Sequence, residues 1–120
     1  MTTLHCKTEH VDCDVLKKLF NDVDLYPVEE VFIMDVVDLI NMFPGDEEVE
    51  YDFIEEGYVA KMRNRDEENP QILVASDLCT NEDEVGISIF HELAHHRGIQ
   101  SEGKAENWAR KQWNLLKERK

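Results

Sequence analysis

The stretch from Thr80 to Leu116 limits the possible folds of this chain more than any other part of it. Thr80-Asn81-Glu82-Asp83-Glu84 supplies a capping side chain and then acidic residues at the positive end of a helix dipole, which predicts a helix running to about Arg97. Gly98 ends that helix. Ser101 can cap a last one carrying Trp108, Trp113, Leu115 and Leu116, with Lys117, Arg119 and Lys120 near its C-terminus. A turn this short lays the two helices antiparallel, and residues placed symmetrically about it face each other.

The first of these helices contains His91-Glu92-Leu93-Ala94-His95. Histidines four apart lie on one helix face, one turn from each other, as two ligands of a single zinc ion must. Glu92, beside the first of them, can reach a water at the metal. With the His and Glu content of this chain the pattern arises by chance in roughly 3% of such sequences, so its weight comes from the residues across the turn. There, Glu102 faces His95 and Glu106 faces His91. Glu102 would complete a His-His-Glu set with a fourth position left to water, and Glu106 would orient His91 by accepting its second ring proton. Exposed glutamates supporting Lys or Arg partners are the plainer alternative for both.

The rest of the chain reads as one domain, residues 1–120, with no repeat and no low-complexity tract. Val11, Val15, Leu16, Leu19, Phe20 and Val23 recur at helical spacing, with Asp12 or Asp14 as the cap, predicting a helix over 12–22. Pro27 suits the first turn of a second helix towards Phe43, although the β-branched run from Val31 to Val37 permits a strand; Pro44-Gly45-Asp46 is a stop in either case. Val49-Tyr51-Phe53, Tyr58 to Arg63 and Gln71 to Ala75 read as three strands, antiparallel to one another. The expected class is α+β: a small antiparallel sheet packed on the helix pair, with N-terminal helices.

Composition narrows the partners. No stretch approaches the roughly 20 apolar residues of a membrane span, and the start, Met1-Thr2-Thr3-Leu4-His5-Cys6-Lys7, lacks a basic region followed by an apolar run. Cys6, Cys13 and Cys79 are an odd number, which points to thiols and, with the missing leader, to a cytoplasmic protein. Residues 1–102 hold 25 acidic and 7 basic side chains, whereas residues 103–120 hold 2 and 6. An acidic body repels phosphates, so no direct nucleic-acid binding is expected and a basic peptide is the better partner. His5, Cys6, His10 and Cys13 lack knuckle spacing and are read as incidental.

The motif His91-Glu92-Leu93-Ala94-His95 with Glu102-Gly103-Lys104-Ala105-Glu106-Asn107-Trp108-Ala109 resembles the gluzincin metallopeptidases, most closely ImmA/IrrE-type and minimal gluzincin domains. In that family's second motif, Glu-x-x-Ala-Asp/Asn-x-Phe-Ala, the first Glu is the third zinc ligand. Glu102 falls on that position, Ala105, Trp108 and Ala109 fall on the alanines and the aromatic, and Glu106 stands where Asp or Asn is usual. The resemblance implies zinc held by His91, His95 and Glu102, Glu92 as general base, and an intracellular peptidase with a narrow protein target. A self-blocked peptidase, known among minimal gluzincins, is also implied.

A metzincin would need a histidine where Ser101 stands and a methionine after the motif, and all four Met residues precede it. A cysteine-ligated site would have to use Cys79, which lacks suitable surroundings. His96, Tyr51 and Tyr58 are each able to reach an oxyanion, and none is assigned. A substrate is expected to lie extended along Ile72 to Ala75. The competing class is an acidic binding or inhibitory protein with a structural or vestigial zinc site, against which Glu92 argues, since a structural site has no use for a base.

Overall fold

A computed structural model describes residues 2–65 and 67–119 of the chain; Met1 and Lys120, which belong to the two terminal segments, lie outside them. The elements run in the order β1 (Thr3–Lys7), α1 (Cys13–Leu19), β2 (Glu30–Met34), α2 (Val36–Met42), α3 (Glu47–Glu50) continued by a π-helical turn (Tyr51–Glu55), β3 (Ala60–Arg63), β4 (Gln71–Ala75), α4 (Glu82–His96) and α5 (Glu102–Arg119). The class is α+β, as expected. The sheet is not the antiparallel one expected: its four strands are ordered β1-β2-β4-β3, with β1, β2 and β4 parallel and only β3 antiparallel to β4.

The parallel part follows from burial on both faces. Val31 to Met34 and Ile72 to Ala75 are buried at every position, the continuous apolar runs that central parallel strands carry. Val31, Ile33, Ile72 and Val74 face a core shared with α1, α4 and α5, whereas Phe32, Met34 and Leu73 face a second core with Leu39, Val49 and Phe53. The run from Val31 therefore resolves into β2 and the short α2, and the expected helix over 27–43 is split; Pro27 precedes β2 after a cis peptide bond. Val49 and Phe53, four apart, are both buried, so the supposed strand is helical; Glu50 is exposed, whereas Asp52 turns in to Lys61. β1 is an element the sequence reading lacks, although Leu4 and Cys6 alternate with Thr3, His5 and Lys7 and pack on the larger core.

Cys6 and Cys13 are joined in a disulfide across a Cα–Cα distance of 5.6 Å, tying β1 to α1. The expectation of three thiols holds for Cys79 alone, which is buried and whose thiol burial pushes up to about 11, aided by Glu84 and Asp77. With a disulfide present, the cysteines no longer argue for a reducing compartment. Among the described residues no helix is long and apolar enough to cross a membrane.

The caps expected for the helices are present. Asp12 accepts from the Asp14 and Val15 amides, and Asn81 accepts from the Glu84 amide at 3.0 Å. Gly98 turns the chain at φ +97° after α4, and the Ser101 hydroxyl lies 3.4 Å from the Lys104 amide. α4 and α5 meet where Gly86 lies under the Trp113 ring, whose indole N–H donates to Asp83 Oδ1 at 2.7 Å. Lys117 and then Trp113 hold the Asp83 carboxyl below its usual range. A Cβ at position 86 would overlap the ring.

Helix propensity favours Ala over Gly by about 1 kcal/mol, and overpacking costs about 1–3 kcal/mol. Because the overlap is with a fully buried indole, Gly86→Ala is expected to lower stability by about 1–2 kcal/mol, read from urea unfolding. A stabilised variant would show that the helices are not this close.

Candidate metal centre

His91 and His95 project from the C-terminal half of α4, and Glu102 and Glu106 from the first turns of α5. The hairpin brings all four together. His91 Nε2 and His95 Nε2 are 3.0 Å apart, and the Glu102 carboxylate spans them, with Oε2 3.1 Å from His91 Nε2 and Oε1 2.9 Å from His95 Nε2. One donor atom from each of His91, His95 and Glu102 lies within 4.8 Å of the others, the only such group found among the described residues. His5 instead meets Glu30 at 2.9 Å and stacks on Phe32, and His10 faces Asp35, so the N-terminal histidines and cysteines form no donor cluster.

The remaining ring nitrogens decide what the cluster can accept. His95 Nδ1 is 2.8 Å from the Ile99 carbonyl oxygen, which can only accept, so Nδ1 carries the proton and Nε2 presents a lone pair. His91 Nδ1 is 3.1 Å from Glu106 Oε1, with the same consequence. Glu106 is itself held by Arg110 at 2.9 Å. Two lone pairs and a carboxylate thus converge on one point. The cluster repels itself unless a proton or a cation lies within it, and the nitrogen–nitrogen–oxygen donor set suits a divalent metal ion.

Around this point the surface is open. Glu102 is 79% exposed, against 19% and 17% for His91 and His95. Glu92 lies where two clefts meet. One, of about 240 Å³, is bounded by Tyr58, Val59, Ala60, Ser88, His91 and Glu106. The other, of about 580 Å³, runs beside β3 past Lys61, Arg63 and Arg65. Burial pushes the Glu92 carboxyl above the usual carboxylate range, a shift that His91, His95 and Arg65 oppose.

The strand beside the site is not the one expected. β4, with Ile72 to Ala75, is paired on both sides, by β2 and by β3, and has no edge to offer; β3 is the free edge of the sheet next to α4. Of the three residues weighed for an oxyanion, Tyr58 lines both clefts, the Tyr51 hydroxyl donates to Glu56 at 2.9 Å, and His96 sits half-buried at the end of α4. Sequence reasoning missed the Ile99 carbonyl and Arg65, whose guanidinium donates to the His95 carbonyl at 2.9 Å. The only sign of the first was Gly98, which folds the chain back under His95.

No protein-family model, no curated protein and no solved structure matches the chain. For the metal-free protein at a pH where its histidines are neutral, nitrogen-15 NMR is expected to find His95 with its proton on Nδ1. A proton on Nε2 would mean that the Ile99 carbonyl does not set the ring.

Proposed function

We propose that this chain is a zinc-dependent metallopeptidase that hydrolyses peptide bonds of a protein target. The observation that carries the reading is the open His91–His95–Glu102 convergence beside the half-buried carboxyl of Glu92. The motif's resemblance to gluzincins points the same way. Zinc is held by His91 Nε2, His95 Nε2 and the Glu102 carboxylate, and when bound it supplies a Lewis acid that polarises a carbonyl and makes water acidic near neutral pH.

This chain's own residues do the rest. Glu106 and the Ile99 carbonyl keep the protons on the two Nδ1 atoms, so that both Nε2 atoms remain ligands. Glu92, whose carboxyl burial holds above the usual carboxylate range, takes the proton from the attacking water and returns it to the departing amine. The edge of β3 is where an extended substrate backbone pairs, and the walls of the clefts exclude part of the solvent around it. The surplus of negative charge, −14 over the chain, favours a basic peptide.

Protein purified without added metal is expected to carry about one zinc per chain, and His95→Ala to lose it. Glu102→Ala should cost far more affinity than Glu106→Ala, whose loss is expected at about 10- to 100-fold for a residue that only orients a ligand. The reverse order would place the third ligand one turn further along α5.

Glu92→Gln keeps the side chain's size and removes the base. Zinc should stay bound while hydrolysis of a cleaved peptide falls by about 100-fold or more. If the zinc-loaded protein cleaves no member of a broad peptide library, with and without the residues after Leu116, the reading gives way to an acidic binding protein with a structural metal.

A further inference from the structure

The larger cleft beside β3 is walled by charge that is mostly already spent. Lys61 lies buried against Asp52 at 2.7 Å and reaches Glu48 at 3.3 Å. Arg63 is bonded through Nε to Asp46 at 2.8 Å and through Nη1 to Gln71 at 2.7 Å. Arg65 differs. Among the described residues it pairs with no carboxylate, and its one hydrogen bond, from Nη2 to the His95 carbonyl, takes a single N–H of the five a guanidinium carries.

That bond also fixes where the free N–H groups stand. The His95 carbonyl belongs to the last turn of α4, so the guanidinium is held at the negative end of the helix that carries both histidines. Arg65 and Glu92 border the same cleft, so a chain lying along β3 would pass the carboxyl and then the cation. A guanidinium with N–H groups to spare, in no ion pair with a carboxylate among the described residues and set next to a hydrolytic centre, selects a carboxylate.

We propose that Arg65 is a specificity-determining residue that binds a carboxylate of the substrate beyond the bond to be cleaved, an inference that rests on the peptidase reading. That carboxylate belongs either to the free C-terminus of the peptide or to an Asp or Glu side chain. A basic peptide with a single carboxylate at this point satisfies both Arg65 and the acidic surface. Arg65→Lys keeps the charge but loses the planar fork, and Arg65→Gln loses both.

The test uses the full-length, zinc-loaded chain carrying Glu92→Gln, so that peptides bind without turnover. It is immobilised and offered three mixed heptapeptide pools: free C-terminus without acidic residues, the same pool amidated, and an amidated pool with one Glu near its end. Retained peptides are counted by mass spectrometry. At least one carboxylate-bearing pool is expected to be retained about tenfold better than the plain amidated pool, and which one identifies the source of the carboxylate.

Adding Arg65→Gln should erase that preference while zinc affinity stays unchanged, and Arg65→Lys should restore part of it. Equal retention of all three pools, or a preference that survives Arg65→Gln, overturns the role of Arg65 and leaves the peptidase reading standing. Zinc bound with no pool retained overturns both.

Discussion

The antiparallel packing of α4 on α5 is the constraint on which the rest of the molecule depends. Gly86 lets the helices approach until the Trp113 ring fills the space a Cβ would take, and Phe90 meets Trp108 edge to face one turn further on, at a centroid distance of 6.2 Å. Gly98 closes the hairpin. With both ends fixed, the register between the helices cannot slide, and His91 faces Glu106 as His95 faces Glu102. The same helix pair carries the larger core through Ile89, Leu93, Ala109 and Leu116, so the forces that hold the fold also aim the donors. Burial of Trp113 and its apolar neighbours is worth several kcal/mol, far more than the repulsion of a few electron-rich atoms at the surface. The packing can therefore hold a donor cluster that would not assemble by itself.

This division between a stabilising seam and an electrostatically uncomfortable tip explains how the site was legible in the sequence. The spacing of His91 and His95, the position of Gly98 and the cap at Ser101 are local signals, and symmetry about the turn is enough to pair them with Glu102 and Glu106. Contacts that depend on how the turn closes were not legible. The Ile99 carbonyl that sets the His95 ring is a backbone group without a residue-type signature, and Arg65 reaches the site from the loop between β3 and β4, thirty residues away in sequence.

The sheet was harder to read because helix and strand signals overlap. Val31 to Met34 is an unbroken apolar run, which periodicity alone cannot assign, and its burial on both faces is known only once α1 and α2 lie on opposite sides of it. Val49, Tyr51 and Phe53 alternate like a strand, yet the pair that is buried, Val49 and Phe53, also obeys the spacing of a helix. Pairing direction had no local signal at all. β1 and β2 are parallel because α1 supplies a crossover between them, whereas the α2–α3 segment leads into β3, which runs back along the sheet, and the short connection after β3 turns the chain into β4, parallel to β2.

That last connection matters for chemistry. Had β3 also run parallel, its link to β4 would have needed a crossover helix, which would lie on the face or edge that the clefts now occupy. The short return leaves β3 as an open edge beside α4, with Glu92 between the two clefts and Arg65 on the loop just past the strand's end. A structural metal site is sealed by a fourth protein ligand, and here Glu102 faces solvent and the space next to it is bounded by the Glu92 carboxyl and residues of the edge strand β3. Burial holds the Glu92 carboxyl above the usual carboxylate range at that point, and the burial costs stability whenever the group is ionised. The proposed peptidase reading gives that cost a use, the transfer of a proton, and an acidic scaffold that only binds gives it none.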